Sequence, residues 1–205
     1  MLSAEAILKL QDETTRTWHD QLPSDGNSPH PDPWLDRLAR QHRANFDLWH
    51  IEDEARTPSA SDARLADVKR RIDRTNQLRN DLAEELDRAL LEWLAPQKLP
   101  HEEAPQHSES PGLIIDRLSI LALKIYHTRQ EAERLDAPAE HAARNQERLA
   151  ILEEQRADLA RCLDVLWRET LAGTRRFKLY RQLKMYNDPS LNPAISRNSQ
   201  SETKY

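Results

Sequence analysis

Glycine is nearly missing from this chain, at 3 of 205 residues, and aromatic residues make up only 5%. Sheet hairpins draw on glycine at positive-φ turn positions, so this scarcity excludes an all-β fold. Cysteine occurs once, as Cys162, which rules out an internal disulfide and a cysteine-based zinc site and fits a reducing compartment. No apolar run approaches the roughly 18–20 residues of a bilayer span, and residues 1–20 carry no signal-type apolar stretch. The composition predicts a cytoplasmic protein. Phosphate-binding glycine loops and Gly-x-Ser-x-Gly elbows are absent as well, and no motif calls for a cofactor.

What is present is charge, at 32% of residues, and a set of 12 prolines that punctuate the chain. An interior proline costs a helix about 3 kcal/mol, so the proline-free segments 1–22, 34–57, 59–95, 112–137 and 139–188 are the helix candidates. Residues 23–33 and 95–111 are loops, and Asp32, Ser110 and Asp136 stand as caps near first-turn prolines. Segments 34–57 and 59–95 pair antiparallel across Pro58, and 113–126 is apolar enough for a buried helix. The expectation is an all-α, single-domain antiparallel bundle over residues 1–193, with five long helices and a disordered tail at 194–205. After Gly173, the spacing of Phe177, Tyr180 and Leu183 predicts a short basic C-terminal helix or a kinked continuation.

The net charge of −5 conceals a division. Residues 1–172 hold 33 acids against 23 Lys and Arg, whereas residues 173–205 hold 7 Lys and Arg against 2 acids. A basic segment on an acidic body either binds an anionic small molecule or protein partner, or docks on the body itself. Nucleic acid is disfavoured, because the acidic body repels a polyanion beyond that segment. No oligomeric state is encoded in any motif.

The apolar stripes are interrupted by polar side chains. On the second helix His42, Asn45 and Asp53 share an arc with Leu38, Phe46 and Trp49; on the third, Asn76, Arg79 and Asn80 stand in the Val68–Leu90 stripe. Folding the pair about Pro58 sets His42 level with Asn76. Asp116 and His127 align on the fourth helix with Lys124 on its flank, and Arg156 breaks the leucine stripe of the fifth. Burying one charge costs several kcal/mol, so Arg79 and Arg156 need carboxylates, for which Asp53 and Asp116 are best placed. Two outcomes are open: an architectural network, or a pocket for a phosphate-bearing ligand completed by Tyr180, Arg181 and Lys184.

Longer strings resemble a known family. His42-x-x-Asn45 with Trp49-His50-x-Glu52-Asp53, Asn76-Gln77-x-Arg79-Asn80-Asp81, and Ser110-Pro111-Gly112 leading to Asp116-Arg117-Leu118-Ser119 and Lys124-Ile125-Tyr126-His127 carry the likeness. Gln155-Arg156-x-Asp158 and Phe177-Lys178-x-Tyr180-Arg181-Gln182-x-Lys184 extend it. Over about residues 34–193 the chain resembles the bacterial helical proteins described as domain of unknown function 4254. The resemblance implies a helical fold and an envelope-glycan setting, and supplies no catalytic residue.

Specific chemistries find little support. Asp47-x-x-His50 is the nearest approach to a di-iron motif, and Glu84-x-x-Asp87 lacks the partner that a magnesium pyrophosphohydrolase requires. His101, Glu102, Glu103 and His107 lie in a proline-rich loop without rigid support, and His19-Asp20 lacks the other ligands of a metal phosphohydrolase. No metal site is expected. Cys162, without a neighbouring base, is expected at the core edge. The leading function is a noncatalytic binding or accessory protein; the alternative is an enzyme on a phosphorylated or nucleotide-linked sugar, with His42 or His127 as acid or base.

Overall fold

The computed structural model describes residues 2–20 and 30–183. Among the described residues five long helices form, α1 (Ala4–Asp20), α2 (Pro33–Ala55), α3 (Asp62–Leu94), α4 (Pro111–Ala132) and α5 (Ala139–Leu171), with one 3-10 turn at Ala95–Gln97. The protein is all-α. No strand occurs among the described residues, and one isolated parallel bridge joins Gln106 to Arg176.

Capping chemistry sets most of the helix starts. Asp32 accepts from the amides of Trp34 and Leu35, Ser61 from Arg64 and Ser110 from Leu113, each satisfying an orphan donor of a first turn. Asp136 does not cap α5 as expected. Pro138 takes the N-cap position without a side-chain bond, and the Asp136 carboxylate accepts from Arg134 instead. At α4 the capping is shared between helices, because Asp87 of α3 accepts from the Gly112 amide at 2.6 Å and from the Ser110 hydroxyl.

Helix α4 packs against each of the other four, which explains its near-continuous apolar sequence. Leu86, Ile114, Ile115, Leu118, Leu163 and Leu166 are almost wholly buried around it. The cross-links give the directions. Arg71 of α3 grips Glu54 of α2 at 2.7 and 3.0 Å while Arg40 reaches Glu85, so α2 and α3 are antiparallel. Glu131 to His141 with Arg129 to Glu153 sets α5 antiparallel to α4, and Ala4 to Asp164 with Asp12 to Arg156 sets it antiparallel to α1. Contacts of Thr15 and His19 on α1 with His42 and His50 on α2, and of His42 and His50 in turn with Ser119 and His127 on α4, show that these three run parallel.

The expected basic helix after Gly173 is not formed over residues 174–183. Gly173 adopts φ +73°, its amide donates to Thr170 O and the Thr174 amide to Glu169 O, which is a Schellman ending that turns the chain off the helix axis. The chain then runs extended. Arg176 pairs its backbone with Pro105 and His107, and Phe177 enters the core at 1% exposure. These bonds compete successfully with helix continuation because they satisfy backbone groups and bury an aromatic ring together. The expected tail at 194–205 lies outside the described residues.

Candidate functional site

The polar residues on the inward faces of α2 and α4 meet in one buried network. His42 lies between hydroxyls of two other helices, with Nε2 2.8 Å from Thr15 Oγ1 and Nδ1 2.7 Å from Ser119 Oγ. Asn45 Nδ2 donates to Ser119 Oγ at 2.9 Å and to Asp116 Oδ1 at 3.0 Å, and Gln41 Nε2 donates to the same carboxylate oxygen at 2.7 Å. Arg79 of α3 brings its Nε to 3.2 Å from Asp116 Oδ1. Burial dominates the electrostatics. It pushes the His42 pKa down to about 3, so the ring is neutral at pH 7, and hydroxyls satisfy either tautomer because they both donate and accept. Burial also raises Asp116, opposed by the Arg79 charge and by the amide donors.

At its outer edge the network opens into a cleft of about 230 Å³ between α2, α3 and α4. Arg79 enters it from α3 and Arg56 from α2, with Trp49, Leu48, Ile120 and Leu123 as apolar wall and Glu52 and Asp53 at the rim. Arg56 stands 3.5 Å from both rim carboxylates. Arg79 meets Asp116 as an ion pair, and its guanidinium forms no hydrogen bond among the described residues.

Beyond Trp49 lies a second constellation. The Trp49 ring stacks on His127 at 4.8 Å and 6°, and one ring nitrogen each of His19, His50 and His127 falls within 4.8 Å of the other two. Three helices supply them: α1, α2 and α4. Each histidine follows by four residues a buried side chain, Thr15, Phe46 or Leu123, so each extends a buried stripe by one turn toward the same end of the molecule.

The chain belongs to the DUF4254 family. That family is described as a protein of unknown function, and its profile matches residues 35–179. No curated protein and no solved structure matches the chain. The DUF4254 match takes in α2 to α5 and both sides of the cleft; helix α1, which brings Thr15 to the network and His19 to the histidines, lies before it.

Of the residues expected to line one pocket, this DUF4254 chain assembles His42, Asn45, Arg79 and Asp116, with Asp53 at the rim of the cleft. Asp53 is exposed, with 60% of its side chain open, and serves no buried arginine. Arg156 meets Asp12 of α1 at 2.8 and 3.1 Å, rather than Asp53 or Asp116, because α5 faces α1. Asn76 and Asn80 are half-buried without bonds to the network, and the partners of His42 are on α1 and α4 rather than α3. His127 belongs to the histidine group.

Lys124 projects on the far side of α4, into a groove of about 670 Å³ shared with Arg117, Asp158 and Cys162. That groove is larger than the cleft, but its Arg117 is already held by both oxygens of Glu109 at 2.8 Å. Cys162 is exposed there rather than packed at the core edge. Tyr180 accepts from Gln106 and Arg181 is exposed on the extended segment, and neither lines the cleft. Lys184 lies outside the described residues. The sequence reading leaves out Gln41, Thr15 and Ser119, which complete the network, and presents His19 and His50 only in separate motifs that are not joined. Their signal is position on a buried stripe, which is visible only once the helices are set parallel.

Proposed function

We propose that this chain is a noncatalytic binding or accessory protein that receives the phosphate-bearing head of a sugar ligand or partner in the cleft between α2, α3 and α4, in the setting of envelope glycan assembly. The observation that carries this reading is Arg79, whose guanidinium is ion-paired with buried Asp116, Nε 3.2 Å from Oδ1, while its outer edge faces the cleft. A guanidinium held in this way loses little freedom on binding and matches two phosphate oxygens. Trp49 offers a flat face to a sugar ring, and Glu52 and Asp53 offer acceptors to its hydroxyls. A cleft of about 230 Å³ is smaller than a pocket for a whole drug-sized molecule, which suits a head group.

The enzyme reading is weakened at one of its two acid–base candidates. His42 is fully buried with both ring nitrogens bonded, out of reach of any substrate in the cleft. The test is thermal unfolding and titration calorimetry with inorganic phosphate, hexose phosphates and nucleotide sugars. A ligand at about 100 times its Kd stabilises by about 2.7 kcal/mol. Arg79→Lys should weaken binding by about tenfold to a hundredfold, the equivalent of losing one charged hydrogen bond. Absence of binding across the panel, or equal binding by the Lys variant, would remove the proposal.

A further inference from the structure

Apart from the Arg79 cleft, the described residues hold one convergence of metal-type ligands, and it is drawn from three separate helices. We infer that His19, His50 and His127 form a binding site for a divalent late transition-metal ion, zinc by the chemistry of its donors. Three imidazoles without a thiolate suit zinc or its neighbours rather than magnesium or calcium, which take oxygen ligands.

The rings are oriented for this work by the backbone. His19 Nδ1 is 2.7 Å from Thr15 O and His50 Nδ1 is 2.8 Å from Phe46 O. A carbonyl only accepts, so both Nδ1 atoms carry the proton and both Nε2 atoms present a lone pair. A hydrogen bond of this kind from the other ring nitrogen is the usual support of a metal-ligating histidine. Nε2 of His19 and Nε2 of His127 are buried and have no hydrogen-bond partner, a costly condition for a polar atom unless something else engages it.

The ring nitrogens lie within 4.8 Å of one another, against about 3.3 Å for neighbouring ligands on a tetrahedral ion with bonds of 2.0–2.1 Å. Small side-chain rotations close that difference. Burial favours the neutral form of two of the rings: His19 is lowered by desolvation first, and His127 falls to about 4 by desolvation, then by His19 and His50. Neutral imidazole is the ligating species, which these two rings supply at pH 7. Phe46, Trp49 and Tyr126 stack on or edge against the three rings and give the ion an apolar collar. All three histidines are half-buried, which leaves a fourth coordination position for water or an exogenous ligand, the arrangement of an open site rather than a closed structural one.

The experiment uses the untagged full chain, stripped with chelator, in buffer free of phosphate. Zn2+ is titrated by calorimetry, Co2+ by its visible d–d absorption, and Mg2+ serves as control. Expected are one Zn2+ per chain, a tetrahedral-type Co2+ spectrum and no response to Mg2+. His50→Ala and His127→Ala should each weaken Zn2+ binding by about 100-fold or more, beyond the loss seen when only a supporting residue is changed. His107→Ala and Arg79→Ala should leave it unchanged, which separates this site from the anion cleft. Should His50→Ala fail to fold, His50→Gln keeps volume and removes the ligand. No saturable Zn2+ binding, or binding that survives both the His50 and His127 substitutions, would overturn the assignment.

Discussion

At the scale of single residues, Asp116 and His42 decide how the interior network behaves. Asp116 Oδ1 is shared by Gln41, Asn45 and Arg79, so Asp116→Ala leaves the Gln41 amide without its acceptor and the Arg79 charge without its partner, while Asn45 keeps Ser119. The expected cost is about 3 kcal/mol, read as a shift in the urea midpoint, since breaking a largely buried pair strands its partner. His42 sets a pH dependence. Its folded pKa of about 3 lies below the unfolded value of 6.5, so its contribution is full above pH 6.5 and is lost as the pH falls toward 3. The unfolded ring takes the proton first, which removes about 1.4 kcal/mol per pH unit in that window. Asp87 works the other way: burial raises it from 3.8 to about 6, so the folded chain takes its proton first and gains as the pH falls between these values. Replacing His42 by Gln should flatten the fall in stability between pH 6 and pH 4 by about 1 kcal/mol per unit. Denaturant midpoints at pH 6, 5 and 4 measure it, and an unchanged slope would show that His42 is not the responsible group.

At the scale of elements, the junction of α3 and α4 is the tightest. A Cβ on Gly112 would stand 2.3 Å from the Ala83 carbonyl oxygen and 2.9 Å from the Asp87 carboxyl, so the absence of a side chain is what allows the helices to approach. Gly112→Ala should therefore cost about 2–3 kcal/mol by overpacking, despite the higher helix propensity of alanine. Chemical denaturation checks it, and a neutral or stabilising outcome would mean that the helices separate freely. Element boundaries were largely legible in the sequence because Pro33, Pro111 and Pro138 and the caps Asp32 and Ser110 act within one turn of their own position. The polar members of the stripes were legible for the same reason. Their partners were not: nothing local in α5 says that Arg156 faces Asp12 of α1, and periodicity places His19, His50 and His127 on faces without stating which helices share a direction. The parallel setting of α1, α2 and α4 is what brings the histidines together, and it follows from tertiary packing around α4.

At the scale of the whole molecule, residues 174–183 of the basic C-terminal segment lie on the acidic body, but charge is a minor part of what holds them. Arg175 pairs with Glu169 at 3.0 Å on the surface, and Glu84 accepts from the Gln182 backbone amide at 2.7 Å. Most of the attachment comes from the backbone bonds to Pro105 and His107 and from the Phe177 ring, which joins the same cluster as Leu86, Ile115 and Leu163. An aromatic ring removed from such a cluster costs about 3–5 kcal/mol, whereas an exposed charge changes stability by no more than about 0.5 kcal/mol. Phe177→Ala should thus destabilise the chain by several times the effect of Lys178→Ala, whose side chain is exposed. Added salt discriminates between the two modes of attachment. A segment held by ion pairs loosens as salt screens them, while one held by burial and backbone bonds does not. The thermal midpoint should therefore change little with added sodium chloride in the unmodified chain, and the loss in Phe177→Ala should be the same at low and high salt. A loss that grew steeply with salt would place the attachment in the arginines instead, and the basic residues would then be engaged by the body rather than available to a partner.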